Sequence, residues 1–392
     1  VQASDNLKVP GFLALGTLTQ AEIDALTPSN GVTVYNETNK QFEIYENGEW
    51  KPKLSVSSIP RDLYVSTTGD DVNGTGASGT PWATIDKALD FLTNFAILAE
   101  VTIHIDRGDY SGDTSDLVIK HPNGDKIVIQ GASESDTVTF SSVSGSAGNY
   151  TYILSTANTS KYTYLNYVLV YKSAATGSNE ERAFGVLQVV GINPGIAVHL
   201  KSINTSAASG GTFYISIPQV KWARLVKITH PLAGLKGVQN VYSLSSHLNI
   251  LEVNQVLIGL VTLEDCLVVN TGSARYGFCR CLNGSSVYLR RVGLRNMNAG
   301  WYCYNNSSVT IEDGGATDCK YGLYIYTSSS CILFSDSPAS SSPHFIYNQY
   351  GLYCLMESII IKDGPTIVFS NNTSNSSPAQ NSEGNFNSYM GY

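Results

Sequence analysis

The chain has 392 residues, 14% of them charged and 42% hydrophobic, and a formal net charge of −8. That length leaves room for two or more domains and a sizeable core. The acidic balance and the lack of any basic stretch exclude a nucleic-acid binder, since nothing could displace counterions from phosphates. No run of about 20 apolar residues is present to insert into a membrane, so a polysaccharide or protein partner fits better.

Residues 1–55 read as a separate module. Val9 to Leu18 lacks the charged start and the length of a secretory signal. Thr19-Gln20-Ala21-Glu22 is a capping box ahead of Ile23, Ala25 and Leu26, which predicts a short helix. Pro28 with Asn30-Gly31 ends it in a turn. Two alternating runs follow, Val32 to Tyr35 and Gln41 to Tyr45, and Asn47-Gly48 leads into Trp50. The predicted unit is a helix plus a small meander, an α+β module. The series Leu-Thr-x-x-Glu-Ile-x-Ala-Leu-x-Pro-x-Asn-Gly, Val-Tyr-Asn and Tyr-x-Asn-Gly-x-Trp resembles a segment near the start of bacteriophage tail-fibre and tailspike proteins. That resemblance implies attachment to other virion tail or baseplate proteins.

Residues 56–100 hold a linker and a lead-in to the main body. Asp62 to Ser66 predicts a strand, Gly69 to Gly74 a loop rich in Gly, Asp and Asn, and Ile85, Ala88, Leu89, Leu92 and Phe95 fall at helical spacing. Such an apolar stripe can close the open end of a coil of strands. With Pro81-Trp82-Ala83-Thr84-Ile85, this block resembles the opening segment of pectin-lyase-like β-helix proteins, in which a Tyr-Val-Ser strand, a loop and a capping helix precede the first rung. Asp70, Asp71 and Asn73 could hold calcium, but a metal-free turn explains them better. No metal and no cofactor is expected.

Val101 to Ile105, Gly108 to Tyr110, Leu117 to Ile119 and Ile127 to Gly131 predict the first rungs. Strands continue through Tyr164 to Tyr171, Ala183 to Val190, Ala197 to Ile203 and Thr212 to Ile217, with a polar insertion at 173–182. The clearest signal comes later. Val261-Thr-Leu-Glu264, Val287-Tyr-Leu-Arg290, Val309-Thr-Ile-Glu312, Cys331-Ile-Leu-Phe334 and Ile359-Ile-Ile-Lys362 start 26, 22, 22 and 28 residues apart. Upstream of the later four lie Cys279 to Cys281, Trp301 to Tyr304, Leu323 to Tyr326 and Leu352 to Leu355. Asn270, Asn296 and Asp318 stand where a corner needs a left-handed backbone, and Gly300, Gly322 and Gly351 open the next turn.

A unit of about 22 residues cannot bury its apolar face alone, so successive units must stack and pair in parallel. The fold predicted for residues 101–370 is all-β: a right-handed, single-stranded parallel β-helix, pectin-lyase-like, of about twelve rungs and roughly 55–60 Å. A leucine-rich horseshoe would show Leu-x-x-Leu-x-Leu and a returning helix, and neither is present. Residues 371–392 lose periodicity and form a terminal tail or an exchanged strand. All seven cysteines (Cys266, Cys279, Cys281, Cys303, Cys319, Cys331, Cys354) fall in the coil, several at positions filled by Leu or Ile in neighbouring rungs. They read as reduced core thiols, which suits assembly in a reducing cytoplasm.

For chemistry on such a scaffold, paired carboxylates come first. Glu264 with Asp265 and Glu312 with Asp313 are the best pairs. They stack with Arg290 and Arg291 in alternating sign, however, so an exposed structural ladder is the expected role; Glu180-Glu181-Arg182 is a lesser cluster. Tyr302, Tyr324 and Tyr353 form one outward stripe, Tyr304 and Tyr326 another. They suit an aromatic ladder, a subunit contact or stacking on sugar rings. Ile332, Phe334 and Ile360 are predicted to turn the late outer surface apolar and to mark an interface. The tailspike resemblance implies three chains about a shared axis, packed there and through the Tyr302/Tyr324 stripe. The expected function is that of a phage tail fibre or tailspike recognising a host surface glycan, with a polysaccharide hydrolase or lyase on the same scaffold as the alternative.

Overall fold

The computed structural model describes residues 17–387 apart from 40, 54, 58–60, 147–148, 157, 163–166, 176–184, 203–210, 225, 229–234, 246–250, 255–259, 271–278, 335–343, 347–349, 356–358, 364–367, 371–373 and 378–385. The chain divides into two compact units. One comprises residues 1–60 and 89–99, the other residues 61–88 and 100–392.

In the smaller unit, Gln20–Asp24 is the helix predicted from the capping box. The Thr19 hydroxyl accepts from the Glu22 amide, and the Glu22 carboxylate accepts from the Thr19 amide at 2.7 Å. Thr17–Leu18, Thr33–Asn36, Gln41–Glu46 and Glu49–Lys53 form one four-stranded sheet in that order. A further strand, Ser55–Ser57, pairs with Phe95–Ile97 and runs into the predicted linker. The helix Ile85–Leu92 also forms, with Ile85, Ala88 and Leu92 buried at helical spacing. It stops before Phe95, which starts that short strand rather than extending the helical stripe.

The larger unit is a parallel β-helix with three strands per rung. One face runs from Arg61–Val65 through Val101–Ile105, Ile127–Gly131, Gly237–Gln239, Val261–Glu264, Ser286–Arg290, Ser308–Glu312 and Ser330–Phe334 to Ile359–Asp363. It is called the charge face here. The second, the barrel face, has eight strands from Gly108–Tyr110 to Val368–Ser370, and the third, the tyrosine face, has eight from Leu117–Val118 to Ser374–Ser377. Among the described residues, eight three-stranded rungs at about 4.8 Å give a column of about 38 Å, against the twelve rungs predicted.

The repeats pair as the sequence pattern requires. Val261, Val287, Val309 and Cys331 stand in one column, and Cys281, Cys303, Ile325 and Cys354 in another. All eight are buried, because alternate side chains of each strand point into the coil. Six of the seven cysteines are free and buried; the side chain of Cys279 lies outside the described residues. Asn296 and Asp318 take left-handed φ values of 58° and 55° at corners, as do Asn283 and Asn305 at 54° and 58°. Asn270 does not: it ends the extended strand Leu267–Asn270, and its carbonyl accepts from Asn296 Nδ2 at 2.8 Å. Gly300 and Gly322 lie inside strands rather than opening a turn. A Cβ at Gly300 would meet the Gly322 carbonyl oxygen at 2.6 Å.

The middle of the chain departs from the predicted coil. Ser133–Ser146, Asn149–Ser155, Tyr167–Ala175, Gly185–Asn193, Ala197–Ser202 and Gly211–Pro218 form a closed barrel with antiparallel pairing throughout. It is inserted at a corner, where the Gln219 amide donates to the Ala132 carbonyl at 2.8 Å and the coil resumes. The barrel interior is filled by Phe140, Tyr152, Leu154, Phe213 and Ile215, and its core continues into Tyr242, Leu267 and Val269 of the barrel face. A Cβ on Gly293 would lie 2.9 Å from Leu169 Cδ1 and from Val186 Cγ2, so glycine there lets the barrel approach.

The tail is more ordered in its pairing than predicted. Ser374–Ser377 adds a parallel strand to the tyrosine face, and Phe386–Asn387 returns antiparallel against Ile359–Ile360.

Candidate functional site

The carboxylate pairs stand in the predicted alternating column but not with the predicted exposure. Glu264, Arg290 and Glu312 occupy successive rungs of the charge face. Arg290 meets Glu264 at 3.1 Å and Glu312 at 3.2 Å, and Arg291 holds Asp265 at 2.8 and 2.7 Å and Glu264 at 2.7 Å. The hydrogen bonds that Arg291 donates to Asp265, with the charge of Glu264 beside them, hold it more firmly protonated than an ordinary arginine. Glu312 is 2% exposed and Asp313 7%, so the exposed ladder is corrected at this rung: Glu312 is a buried ion pair that also accepts from the Tyr288 hydroxyl. Asp265, Arg291 and Asp313 are corner residues with φ near +50° rather than a second strand column. Arg291 also lies 5.7 Å from the ring centre of Tyr171 on the barrel.

Glycoside cleavage needs one carboxyl that can protonate the leaving oxygen and a second that faces the sugar. Glu264 and Asp265 are clamped by arginines, and Glu312 and Asp313 are covered. This arrangement suits holding the coil together. Glu180, Glu181 and Arg182 lie outside the described residues. In the loop at 70–73, Asp70 accepts from the Val72 amide at 2.7 Å and from Asn73 Nδ2 at 2.7 Å, and Asp71 accepts from Ala83, Thr84 and the Thr84 hydroxyl. Those carboxylates are engaged in building the turn.

The tyrosines are brought together as predicted, and with more members. Tyr302, Tyr324 and Tyr353 are in register on three successive strands of the tyrosine face. Their ring centres are 5.2 Å apart at each step, with interplanar angles of 17° and 25°. Tyr304 and Tyr326 stack at 5.4 Å and 9°. Tyr321 closes one edge, 4.9 Å from Tyr324 and 5.1 Å from Tyr353. All six are half-buried, and pairs of this kind contribute about 0.5–1.5 kcal/mol each beyond the area they bury. Burial, with the neighbouring tyrosines, pushes the Tyr324 hydroxyl up to about 12, and Tyr302 is raised for the same reasons. Tyr302 and Tyr324 therefore stay neutral at physiological pH, within a stack of near-parallel rings.

Beside the rings lies a depression of about 500 Å³ lined by Arg280, Leu282, Asn298, Ala299, Tyr302, Tyr304, Tyr321 and Tyr324. Sequence reading missed Arg280, Asn298 and Tyr321. Arg280 stands one rung before Tyr302 in the same column, so the repeat already placed it there. Only the search for aromatic and acidic residues passed over it.

Ile332 faces outward on the charge face and is 38% exposed. Ile360 is a correction: it pairs with Cys331, not Ile332, and is fully buried. The run Ile359-Ile360-Ile361 has no alternation to fix its register, and the strand shifts by one residue. Phe334 continues the Glu312 column by its backbone pairing, and its side chain lies outside the described residues.

No family model matches the chain, and no curated protein matches it. Among solved structures it is similar to the Gp54 tailspike of Acinetobacter baumannii bacteriophage AP22, determined in complex with A. baumannii capsular saccharide. The two are 10% identical, with 68% of this chain and 53% of that chain covered and a TM-score of 0.26. The chain thus spans about half the length of that tailspike.

Proposed function

We propose that the chain is a phage tail fibre or tailspike that binds a host surface glycan on its tyrosine face. The observation that carries this reading is the stacked set of Tyr302, Tyr324, Tyr353, Tyr304, Tyr326 and Tyr321 beside an open depression. Sugar rings have one apolar face and a rim of hydroxyls, which match a stacked ring surface edged by phenols. The resemblance of the N-terminal segment to phage tail proteins supports a place in the virion, with the smaller unit joining other tail or baseplate proteins. A homotrimer belongs to the same reading. For the rival, a polysaccharide hydrolase or lyase, the two carboxylate pairs expected from the sequence, Glu264 with Asp265 and Glu312 with Asp313, are engaged in arginine pairing or buried.

The test is binding of the purified protein to a panel of capsular and lipopolysaccharide glycans, with released oligosaccharide measured in the same samples. The expected result is binding to at least one glycan without release, weakened at least about tenfold in a Tyr302→Ala, Tyr324→Ala double variant that keeps its circular dichroism spectrum. Undiminished binding by that variant would remove the platform from the function. Oligosaccharide release would favour the depolymerase.

A further inference from the structure

We infer that the tyrosine platform takes an acidic polysaccharide, one whose sugars carry carboxylates. The inference rests on the glycan-binding reading above and adds the charge of the ligand. The chain is acidic as a whole, at −8, yet the charged residue that lines the depression is the cation Arg280. In the outward column of the tyrosine face, Lys227, Glu252, Arg280, Tyr302, Tyr324 and Tyr353 stand in register. Glu252 is placed between two cations and pairs with Arg280 at 3.8 Å, while Lys227 also reaches Asp116 at 3.9 Å. Arg280 keeps 35% of its side chain exposed against 16% for Glu252, and it lines the depression together with Tyr302 and Tyr324. At another edge, the Lys320 ammonium lies 5.1 Å from the ring centre of Tyr321.

The chemistry of these groups is complementary to a uronate polymer. A guanidinium offers a planar fork that receives a carboxylate through two parallel hydrogen bonds, and such charge-assisted bonds are about twice as strong as neutral ones. One rung separates Arg280 from Tyr302, about 4.8 Å, which is close to the length of one pyranose residue along an extended polymer. A carboxylate on Arg280 therefore sets the next sugar over the Tyr302 ring. The Tyr324 hydroxyl, pushed up to about 12 by burial, stays protonated and offers a donor rather than a repelling phenolate.

The experiment measures binding of the full chain to polygalacturonate, alginate and hyaluronan, and to the same polymers after their carboxylates have been reduced to primary alcohols. Wild type should bind at least one acidic polymer about tenfold more tightly than its reduced form. That affinity should fall as salt rises from about 50 to about 500 mM, and Arg280→Gln should abolish the preference while retaining the reduced polymer. Equal affinity for acidic and reduced forms, or no binding to any acidic polymer, overturns the inference. The Tyr302→Ala, Tyr324→Ala double variant separates it from the reading beneath. Equal affinities that the double variant loses remove the acidic preference and leave the platform standing. An acidic preference that survives in the double variant moves the site elsewhere and overturns both.

Discussion

Glu312 is a carboxylate with 3% of its side chain exposed, held by Arg290 at 3.2 Å and by the Tyr288 hydroxyl. Removing one partner of a covered ion pair leaves the other charge poorly compensated, which costs about 3–5 kcal/mol where both partners are buried. Arg290 is 38% exposed and keeps Glu264 as a second partner, so the cost here belongs at the lower end. Glu312→Ala is expected to lower stability by roughly 2–3 kcal/mol, whereas Glu312→Gln, which still accepts from Tyr288, should lose less. Glycan binding on the tyrosine face should be unchanged in both. Thermal unfolding midpoints measured beside wild type decide the matter: a Glu312→Ala shift within about 1 kcal/mol of zero would restore the exposed ladder that the alternating signs alone suggested.

At the scale of elements, the sequence marked strands near Tyr167–Ala175, Gly185–Asn193, Ala197–Ser202 and Gly211–Pro218 but not Ser133–Ser146 or Asn149–Ser155, and the partners of none were visible. Period-two alternation is common to parallel and antiparallel strands, so Thr212 to Ile217 reads equally well as a rung or as a barrel stave. What distinguishes them is the connection. Asn193-Pro194-Gly195 joins Gly185–Asn193 to Ala197–Ser202 as a hairpin, with Gly195 at φ +70°, and a tight turn of that kind was the available signal. By contrast, the two equal steps of 22 residues across Val287, Val309 and Cys331 were enough to fix register, because one turn of the coil must close on itself. Burial of Tyr242 was not legible for another reason: it depends on the barrel that packs over its face, which no single rung encodes. The insertion geometry carries its own expectation. Because Ala132 and Gln219 are joined by a 2.8 Å backbone hydrogen bond, residues 133–218 can be replaced by two glycines without moving the flanking strands. The shortened chain should keep a β-sheet circular dichroism spectrum and a cooperative melt, but bind a hydrophobic dye through the uncovered Tyr242, Leu267 and Val269. Loss of cooperative unfolding would show that the coil needs its barrel.

For the β-helix unit as a whole, the three faces leave a limited choice for self-association. The barrel face packs against the barrel, and the tyrosine face is the one proposed to bind glycan. The charge face remains, and in its late rungs the outward column that holds Tyr288 and then Thr310 passes to Ile332, 38% exposed. With Ile360 buried instead of outward, the apolar surface is smaller than the sequence pattern suggested. Three copies meeting along this face would shield Ile332 while leaving the tyrosine platforms pointing away from the shared axis, which is what simultaneous glycan binding by each chain requires. Light scattering should therefore give a mass near 127 kDa, three times 42.2 kDa. An Ile332→Asp variant with an unchanged circular dichroism spectrum should fall to the mass of one chain, because three carboxylates would be forced together at the axis. A wild-type mass near 42.2 kDa rejects the trimer, and a trimer that survives in the variant places the interface on another part of the chain.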